Sequence, residues 1–543
     1  MSILADIPIL SLIIWSPLLG FILILLLPRS RSGLLKGTAI AVSLVPLVLS
    51  MWLYADMGGD RNSSAYEEKV AWGDIPLNSE ALNDPGIGVV FSMQYSLGVD
   101  GLSLPLVLLT ALVTAMASFA AIHVKKRWKA FYCWFFLLEL GMLGAFLARD
   151  LFLFFIFFEI TLVAMYFLIG IWGYYNRERA ANMFLLYNGI GSALMLIAFV
   201  MLTMTAGFRA EPGASGMQLI YSANYADIMH NLANPSAWVN VMPSEEAVNP
   251  FYMDSGMQWT TFILLFIAFG IKLPVFPFHT WMLKVHVEAP PAVVMIHSGI
   301  LLKLGAYGLI RFGLTLFPEQ YKDWSPLLAV LGVISLLYGA IIAFRQTEFK
   351  LMLAYSSVSH MGIVLIGLAA LNELGYQGAV FQLVSHGVIS ALLFLIVGSL
   401  YERTRTTELQ ELGGLSRSMP FMSGVLLFAG LASLGLPGLS GFIGELLSLL
   451  GLFDTMEWVV AAAMLGIVLT AVYVLRGVLA ITFGAIDEKH VTLRDARFIE
   501  ALPMAVLVAV IVLLGCYPSL LTSMVEPGAA VLMEQLISAR TGG

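Results

Sequence analysis

The stretch LFLFFIFFEITLVAMYFLI, residues 151–169, decides the class of protein. Glu159 is its one charged side chain, and about 20 consecutive apolar residues are enough to cross a bilayer as a helix. A charged side chain at membrane depth is costly, and it marks a functional site by default. The stretch therefore predicts a membrane-spanning helix that carries a functional carboxyl.

The composition extends this prediction to the whole chain. Of its 543 residues, 59% are hydrophobic and 12% charged, whereas soluble proteins carry roughly 45–50% and about 25%. We predict an all-α membrane protein of about 14 transmembrane helices. The apolar windows lie near 6–27, 34–54, 101–122, 131–148, 152–171, 181–204, 259–283, 291–316, 324–344, 350–370, 377–400, 421–452, 458–482 and 502–522.

The basic residues are distributed unevenly between the loops, and this predicts the orientation. Lys and Arg gather in cytoplasmic loops. With the N-terminus outside, 18 Lys or Arg fall in inner loops, six fall in outer segments and four lie within spans. Both termini are therefore predicted to lie outside. Two long polar segments, 55–100 and 205–258, also fall outside, where they could form caps; neither resembles a folded domain by length.

Six of the ionisable side chains inside predicted spans stand out, and each is a functional candidate. At about 1.5 Å of rise per residue, the lysines and histidines lie near the midplane and the two glutamates nearer the outer end. Titratable groups at one depth suit a proton relay along the membrane. Taken singly, each histidine could instead form a structural hydrogen bond between helices. Each lysine could be a member of a structural ion pair. The six are Glu159, Lys272, Lys303, His360, His386 and Glu445.

Two of these charges stand beside prolines. Lys272 is followed by Pro274 and Pro277, and Glu445 is preceded by Pro437. Proline removes an intrahelical hydrogen bond, and broken helices at membrane depth persist where they are buried in protein or line a cavity. Breaks in two halves of a chain indicate an internal repeat around a transport site, although a simple proline kink is the alternative. The two spans are five apart, so the repeats would be inverted.

The chain offers little to hold a redox centre. Its two cysteines, Cys133 and Cys516, fall near opposite ends of their predicted spans, too far apart for a disulfide. An iron–sulfur cluster usually needs four cysteines. His360 and His386, on adjacent helices, leave a haem-bearing cytochrome as an alternative. We predict no cofactor or metal in this chain and no nucleic-acid partner.

Long motifs resemble the antiporter-like membrane subunits of respiratory complex I, and most closely its M-type subunit, chain 4. The resemblance covers nearly all of residues 1–520. It implies two inverted five-helix repeats with helices 7 and 12 broken, and the divisions 1–124, 125–316, 317–484 and 485–543. The motifs are GVDGLSLPLVLLT (98–110), FFEITLVAMYFLIGIWG (157–173), KLPVFPFHTW (272–281), GILLKLGAYGLIRFG (299–313), AYSSVSHMG (354–362) and GSLYERTRTTELQELGGL (398–415).

The resemblance implies a proton-translocating subunit of an NADH–quinone oxidoreductase in a bacterial plasma membrane. FMN, iron–sulfur clusters and quinone would belong to partner subunits, and similar antiporter-like subunits would be neighbours in the bilayer. The D-type subunit of a multisubunit sodium/proton antiporter is the alternative, because it shares the Lys and Glu positions. The family's functional residues map onto Glu159 and Lys272 as the coupling pair, Lys303 and His360 as the relay, Glu445 as the terminal site, and His386 as a further family histidine.

One stretch and one further position depart from the family pattern. After HTW the family usually reads Leu-Pro-Asp-Ala-His, whereas residues 282–286 read MLKVH, which places Lys284 where an aspartate is usual and ends on His286. His297 stands where an apolar or small residue is usual. The inner mouth is therefore expected to be more basic than in typical members, and the route of proton uptake stays open.

Overall fold

The computed structural model describes residues 8–28, 31–57, 66–76, 87–213, 216–244 and 248–541. In these ranges the protein is a bundle of helices with one small sheet. The helices are α1 (Ile9–Leu26), α2 (Ser32–Asp56), α3 (Ser103–Ala120), α4 (Trp128–Leu147), α5 (Leu151–Trp172), α6 (Arg177–Met204), α7 (Tyr225–Ala233), α8 (Ser255–Lys272), α9 (Thr280–Glu288), α10 (Pro291–Ile296), α11 (Leu302–Gly308), α12 (Pro318–Arg345), α13 (Phe349–Ala369), α14 (Glu373–Thr404), α15 (Pro420–Ser433), α16 (Ser440–Phe453), α17 (Glu457–Thr482), α18 (Phe498–Cys516) and α19 (Ser519–Thr541). The strands are β1 (Glu67–Pro76), β2 (Ile87–Gly98), β3 (Phe208–Gly213) and β4 (Gly216–Ser222).

The helices confirm a multi-pass membrane fold. Thirteen helical segments within the described ranges are long and apolar enough to cross a bilayer. The predicted window 421–452 is divided between two shorter apolar helices, α15 and α16. The predicted seventh window is divided as well, because α8 ends at Lys272 and α9 begins at Thr280. Both breaks lie where the prolines place them; the inverted relation of the two five-helix sets stays a prediction.

The two long polar segments meet in one four-stranded sheet of order β1-β2-β4-β3. β1 pairs antiparallel with β2 in the first segment, and β3 pairs antiparallel with β4 in the second. A parallel pairing of β2 with β4 joins the segments. Both segments therefore lie on the same face of the bundle, as the charge distribution predicts.

On this face an ion-pair cluster anchors the start of α3. The Asp100 carboxylate accepts a hydrogen bond from the backbone N–H of Ser103 and lies 2.8 Å from Arg149 and 2.6 Å from Arg311. Burial raises the pKa of Asp100, but the two guanidinium groups outweigh it and hold that pKa well below its usual range. Arg311, although inside the span Pro291–Leu314, is thus a structural partner that ties this span to the sheet.

A second cluster lies at the other end of α3. His123 Nδ1 is 3.3 Å from Glu402, and His123 Nε2 is 3.3 Å from Glu500. Arg403 contacts Glu500 at 2.6 Å. The segments around α3, α14 and α18 therefore meet on the face opposite the sheet. Their basic loops are the ones that the charge distribution predicts to be cytoplasmic.

The helix α19 was not among the predicted elements. It follows α18 and packs against α12 and α14. Val525, Ala529 and Leu532 are buried, a spacing that puts them on one helical face. Polar residues elsewhere in α19, such as Ser519, Thr522 and Glu534, make this helix less apolar than the membrane-spanning ones. It covers the bundle on the side of Gly101, where a Cβ would lie 2.2 Å from the Met524 carbonyl oxygen.

Candidate functional site

Four of the six predicted residues form one continuous buried row. Lys303 Nζ lies 2.9 Å from His386 Nδ1, and the ring centroids of His386 and His360 are 5.4 Å apart. His360 Nδ1 lies 3.5 Å from Oε1 of Glu445. None of the four residues is more than 6% exposed. The row therefore runs from α11 through α14 and α13 to α16, with each member beside the next.

Polar neighbours orient the members of the row. Gln382 Nε2 lies 3.3 Å from His360 Nδ1, and the Ser433 hydroxyl lies 3.4 Å from His360 Nε2. Lys303 also donates to the carbonyl oxygen of Ser298. A hydroxyl can donate or accept, so the Ser433 contact is compatible with either charge state of the imidazole. Both ring nitrogens of His360 are engaged, which does not fit the haem alternative.

Glycines bring α14 and α16 close enough for the row to form. A Cβ on Gly378 would lie 2.3 Å from the backbone nitrogen of Ser448, and a Cβ on Gly444 would lie 2.4 Å from the side-chain oxygen of Gln382. Small residues at such contacts let membrane helices approach closely. The close contact places Glu445, the residue after Gly444, beside the polar face of α14.

The break between α15 and α16 positions the Glu445 carboxylate. Gly435 and Gly438 in the break have φ values of +78° and +91°, which glycine adopts without strain. A Cβ on Gly435 would lie 2.5 Å from Glu445 Oε2. The carboxylate therefore sits against the backbone of the break, in space that a side chain at position 435 would fill.

Lys272 Nζ and Glu159 Oε1, in the expected coupling pair, have no hydrogen-bond partner among the described residues, and the pairing of these two residues stays a prediction. None of the ion pairs among the described residues joins these two side chains. Lys272 is the last residue of α8, is 1% exposed and lies with Nζ 4.6 Å from the Phe158 ring centroid and 5.5 Å from that of Phe184. Successive residues point about 100° apart around a helix. Phe158, the residue before Glu159 in α5, is the one whose ring lies under the Lys272 ammonium.

Two further histidines lie beside each other in this region: His297 is on the span of Lys303, and His286 is in α9. The His297 ring centroid is 6.0 Å from that of Phe184, which also contacts the Lys272 ammonium. The His286 ring centroid is 4.9 Å from that of His297. Both histidines are fully buried. The sequence marks them only as part of an unusually basic region, because their proximity depends on how α9 folds back after the break.

One buried carboxyl was missed from the sequence. Glu139, in α4, is fully buried and accepts a hydrogen bond from the Thr114 hydroxyl at 2.8 Å. Within the described part of the chain its Oε2 has no hydrogen-bond partner. The sequence pattern that identifies Glu159 also identifies Glu139. Glu139 is the single charged residue in an apolar run, WFFLLELGMLGAF at 134–146.

An open cavity of about 590 Å³ lies at the end of α9 opposite the sheet. Its lining includes Arg179, Lys284, Glu288 and Glu348. Lys284, the departure from the family pattern, is exposed there. A polar, charged mouth therefore reaches the helix that follows the first break.

Comparisons with known proteins agree with the motifs. Residues 148–470 match the family described as NADH:quinone oxidoreductase/Mrp antiporter, transmembrane. The NADH-quinone oxidoreductase subunit M of Rhodobacter capsulatus is 36% identical over 92% of this chain and 90% of its own. The NAD(P)H-quinone oxidoreductase chain 4 1 of Synechococcus sp. (strain JA-2-3B'a(2-13)) is 37% identical over 98% of this chain and 94% of its own.

Among solved structures, the respiratory complex I from Thermus thermophilus with bound NADH contains a similar chain. It is 28% identical, the match covers 97% of this chain and 99% of that chain, and the TM-score is 0.80. The range matched by the family includes all six predicted residues and both helix breaks. The resemblance read from the motifs is confirmed, and the chain belongs to the NADH:quinone oxidoreductase/Mrp antiporter transmembrane family.

Proposed function

We propose that this chain is the M-type, proton-translocating subunit of an NADH–quinone oxidoreductase in a bacterial cell membrane. The subunit M and chain 4 relatives, similar along almost the full chain, support the assignment. The observation that carries a role in proton transfer is the buried row from Lys303 to Glu445. A lone structural histidine or lysine would not require four such groups side by side.

In this proposal a proton moves along the row by successive transfers. The Lys303 ammonium gives a proton to Nδ1 of His386, which leaves a neutral amine and an imidazolium. The imidazolium passes a proton to His360, and His360 passes one to the Glu445 carboxylate, which becomes a carboxylic acid. Like charges repel strongly in a medium of low dielectric constant. A second proton that arrives at Lys303 therefore drives the first one toward Glu445.

We further propose that Lys272 and Glu159 form a switch whose open state is the one seen here. A buried ammonium over aromatic rings gains about 2 kcal/mol or more from them when desolvated, less than an ion pair in a desolvated site can provide. Among the described residues Lys272 Nζ and Glu159 Oε1 lack hydrogen-bond partners. Movement of the ammonium toward Glu159 would close the pair and alter the field at the next lysine.

The redox chemistry would belong to other chains. FMN, iron–sulfur clusters and quinone are proposed on partner subunits, and similar antiporter-like subunits are proposed as neighbours in the bilayer. Both termini are proposed to lie outside, on the face of the sheet. This orientation rests on the 18 basic residues assigned to the opposite loops. The cavity at the end of α9 lies on the face opposite the sheet. Its charged lining residues would take up protons from that side of the membrane.

The rival function is sodium/proton antiport in a D-type subunit, since the family description includes both kinds of complex. The two functions differ in their driving force. The intact complex, purified and reconstituted in vesicles, should acidify the lumen only when NADH and quinone are supplied. Sodium-driven proton exchange without NADH oxidation would establish the rival instead.

The same vesicles test the role of Lys272. We expect Lys272→Ala to lower NADH-driven proton uptake about tenfold or more, while the complex still assembles. Lys322→Ala, which removes an exposed lysine, is the control and should pump normally. Full pumping by an assembled Lys272→Ala complex would make Lys272 a structural residue and refute the proposed mechanism.

A further inference from the structure

We propose that His297, together with His286, carries the proton across the gap between Lys272 and Lys303. This inference rests on the proposed function and adds two residues to it. The row described above begins at Lys303, and in the described structure Lys272 Nζ has no hydrogen-bond partner. A proton that starts at Lys272 therefore needs a carrier before it reaches the row.

His297 is held between the two lysines by contacts on both sides. On one side it packs against Trp281, with ring centroids 5.5 Å apart. The Trp281 indole N–H donates to the carbonyl oxygen of Ile271 at 3.1 Å, and Ile271 directly precedes Lys272. On the other side Lys303 reaches back to donate to the carbonyl oxygen of Ser298, the residue after His297. Trp281 therefore links the His297 ring to the backbone beside Lys272, and Ser298 links the backbone next to His297 to the Lys303 ammonium.

The local backbone of the span is irregular at this point. A π-helical turn runs from His297 to Leu301, between α10 and α11. π-Helical turns inside α-helices are rare, and they occur frequently at functional sites. The extra residue in the turn shifts the side chains before it relative to those after it. His297 at its start and Lys303 just after its end are therefore not in the register of a regular helix.

The hydrogen bonding of His286 and His297 distinguishes a role in carrying protons from a role in packing alone. All four of their ring nitrogens are buried and, within the described residues, lack a hydrogen-bond partner. A buried polar atom left without a hydrogen bond destabilises the folded protein, and native proteins retain few such atoms. A phenylalanine would fill the same space between Trp281 and Phe184 without this cost. The imidazoles add what an apolar ring cannot, a site that takes up and releases a proton.

The transfer balances without any other reactant. The Lys272 ammonium gives a proton to a neutral His297 nitrogen and becomes an amine, and the resulting imidazolium gives a proton to the Lys303 amine. His286, whose ring centroid is 4.9 Å from that of His297, is the second position at which the proton can reside. The ring nitrogens of both histidines and Lys272 Nζ have no direct partner among the described residues, so the proposed transfers pass through a bridging water.

The test uses the complete complex in vesicles. His297→Phe and His286→Phe replace each imidazole with an apolar ring. His230→Phe, which changes an exposed histidine in α7, is the control. We expect both buried variants to assemble and to lower proton uptake about tenfold or more. The double variant should be no slower than the slower single variant, because the two residues serve one step. The solvent deuterium isotope effect on NADH oxidation should rise in the variants, which a purely structural defect would not cause.

Wild-type pumping by His297→Phe would overturn the bridge. If Lys272→Ala is inactive in the same preparation, only this inference fails; if Lys272→Ala also pumps, the proposed function fails with it. Should His297→Phe not assemble, His297→Gln keeps the hydrogen-bonding capacity but cannot be protonated, and it should be slow. Assembly of neither variant would show a structural role and contradict the bridge.

Discussion

The amine of Lys303 lies 2.9 Å from Nδ1 of His386, although 83 residues separate them in the chain. Lys303 belongs to the first predicted five-helix set, 125–316, and His386 belongs to the second, 317–484. One hydrogen bond therefore joins the two halves in the buried core of the bundle. A proton that passes between these atoms moves from one half of the protein to the other.

The contact predicts that Lys303 and His386 act as one unit. We expect Lys303→Met and His386→Leu each to lower proton uptake about tenfold or more, because each removes one side of the transfer. The double variant should be no worse than the more damaging single variant, since residues in direct contact are not additive. The rate of NADH-driven proton uptake by vesicles measures this. Losses that multiply would indicate two independent roles.

Gly435→Ala should impair pumping without removing any titratable group. The new Cβ would lie 2.5 Å from Glu445 Oε2 at a backbone φ of +78°, so the carboxylate must move away from the break. We expect lower proton uptake with the complex intact. Gly424→Ala is the matched control, because position 424 in α15 has open space around its Cβ. Equal activity of the two variants would show that the position of Glu445 at the break is unimportant.

Asp100→Asn should weaken the attachment of α3 to the outer cluster. Removal of one member of a partly buried charged network costs about 2 kcal/mol or more. The pKa of Asp100 is lowered in the folded protein, so its stabilisation is fully present above the ordinary carboxyl pKa of about 4 and is lost as the pH falls below that value.

Heating the purified complex at several pH values measures this effect. Wild type and Asp100→Asn should differ by a constant amount between about pH 5 and 8, and the difference should shrink in more acidic buffer. Asp323→Asn, an exposed carboxyl, should match wild type throughout. A difference that grows on acidification would mean that the Asp100 carboxyl is stabilised in its neutral form.

The spans, the two breaks and the four members of the buried row could be identified from the sequence, because each depends on local composition. An apolar run with one charge identifies Glu159, and prolines beside Lys272 and Glu445 identify the broken helices. The chain positions alone also predict a shared depth for Lys272, Lys303, His360 and His386. These are properties of single helices and need no knowledge of packing.

Relations between distant segments could not be predicted in the same way. The parallel pairing of β2 with β4 joins segments that no local pattern connects. Whether Glu159 touches Lys272 depends on which residue of α5 faces the break, and here it is Phe158. His286 meets His297 only because α9 folds against the following span. Each of these contacts is decided by tertiary packing.

The number of protons moved per electron is the most direct test of the buried row. Glu445→Gln preserves the size of the side chain but removes the final proton acceptor. With the complex in vesicles, a small pulse of NADH should produce fewer translocated protons per quinone reduced than in wild type. Glu457→Gln, at an exposed position in α17, should keep the wild-type ratio. An unchanged ratio in an assembled Glu445→Gln complex would contradict proton transfer through the row.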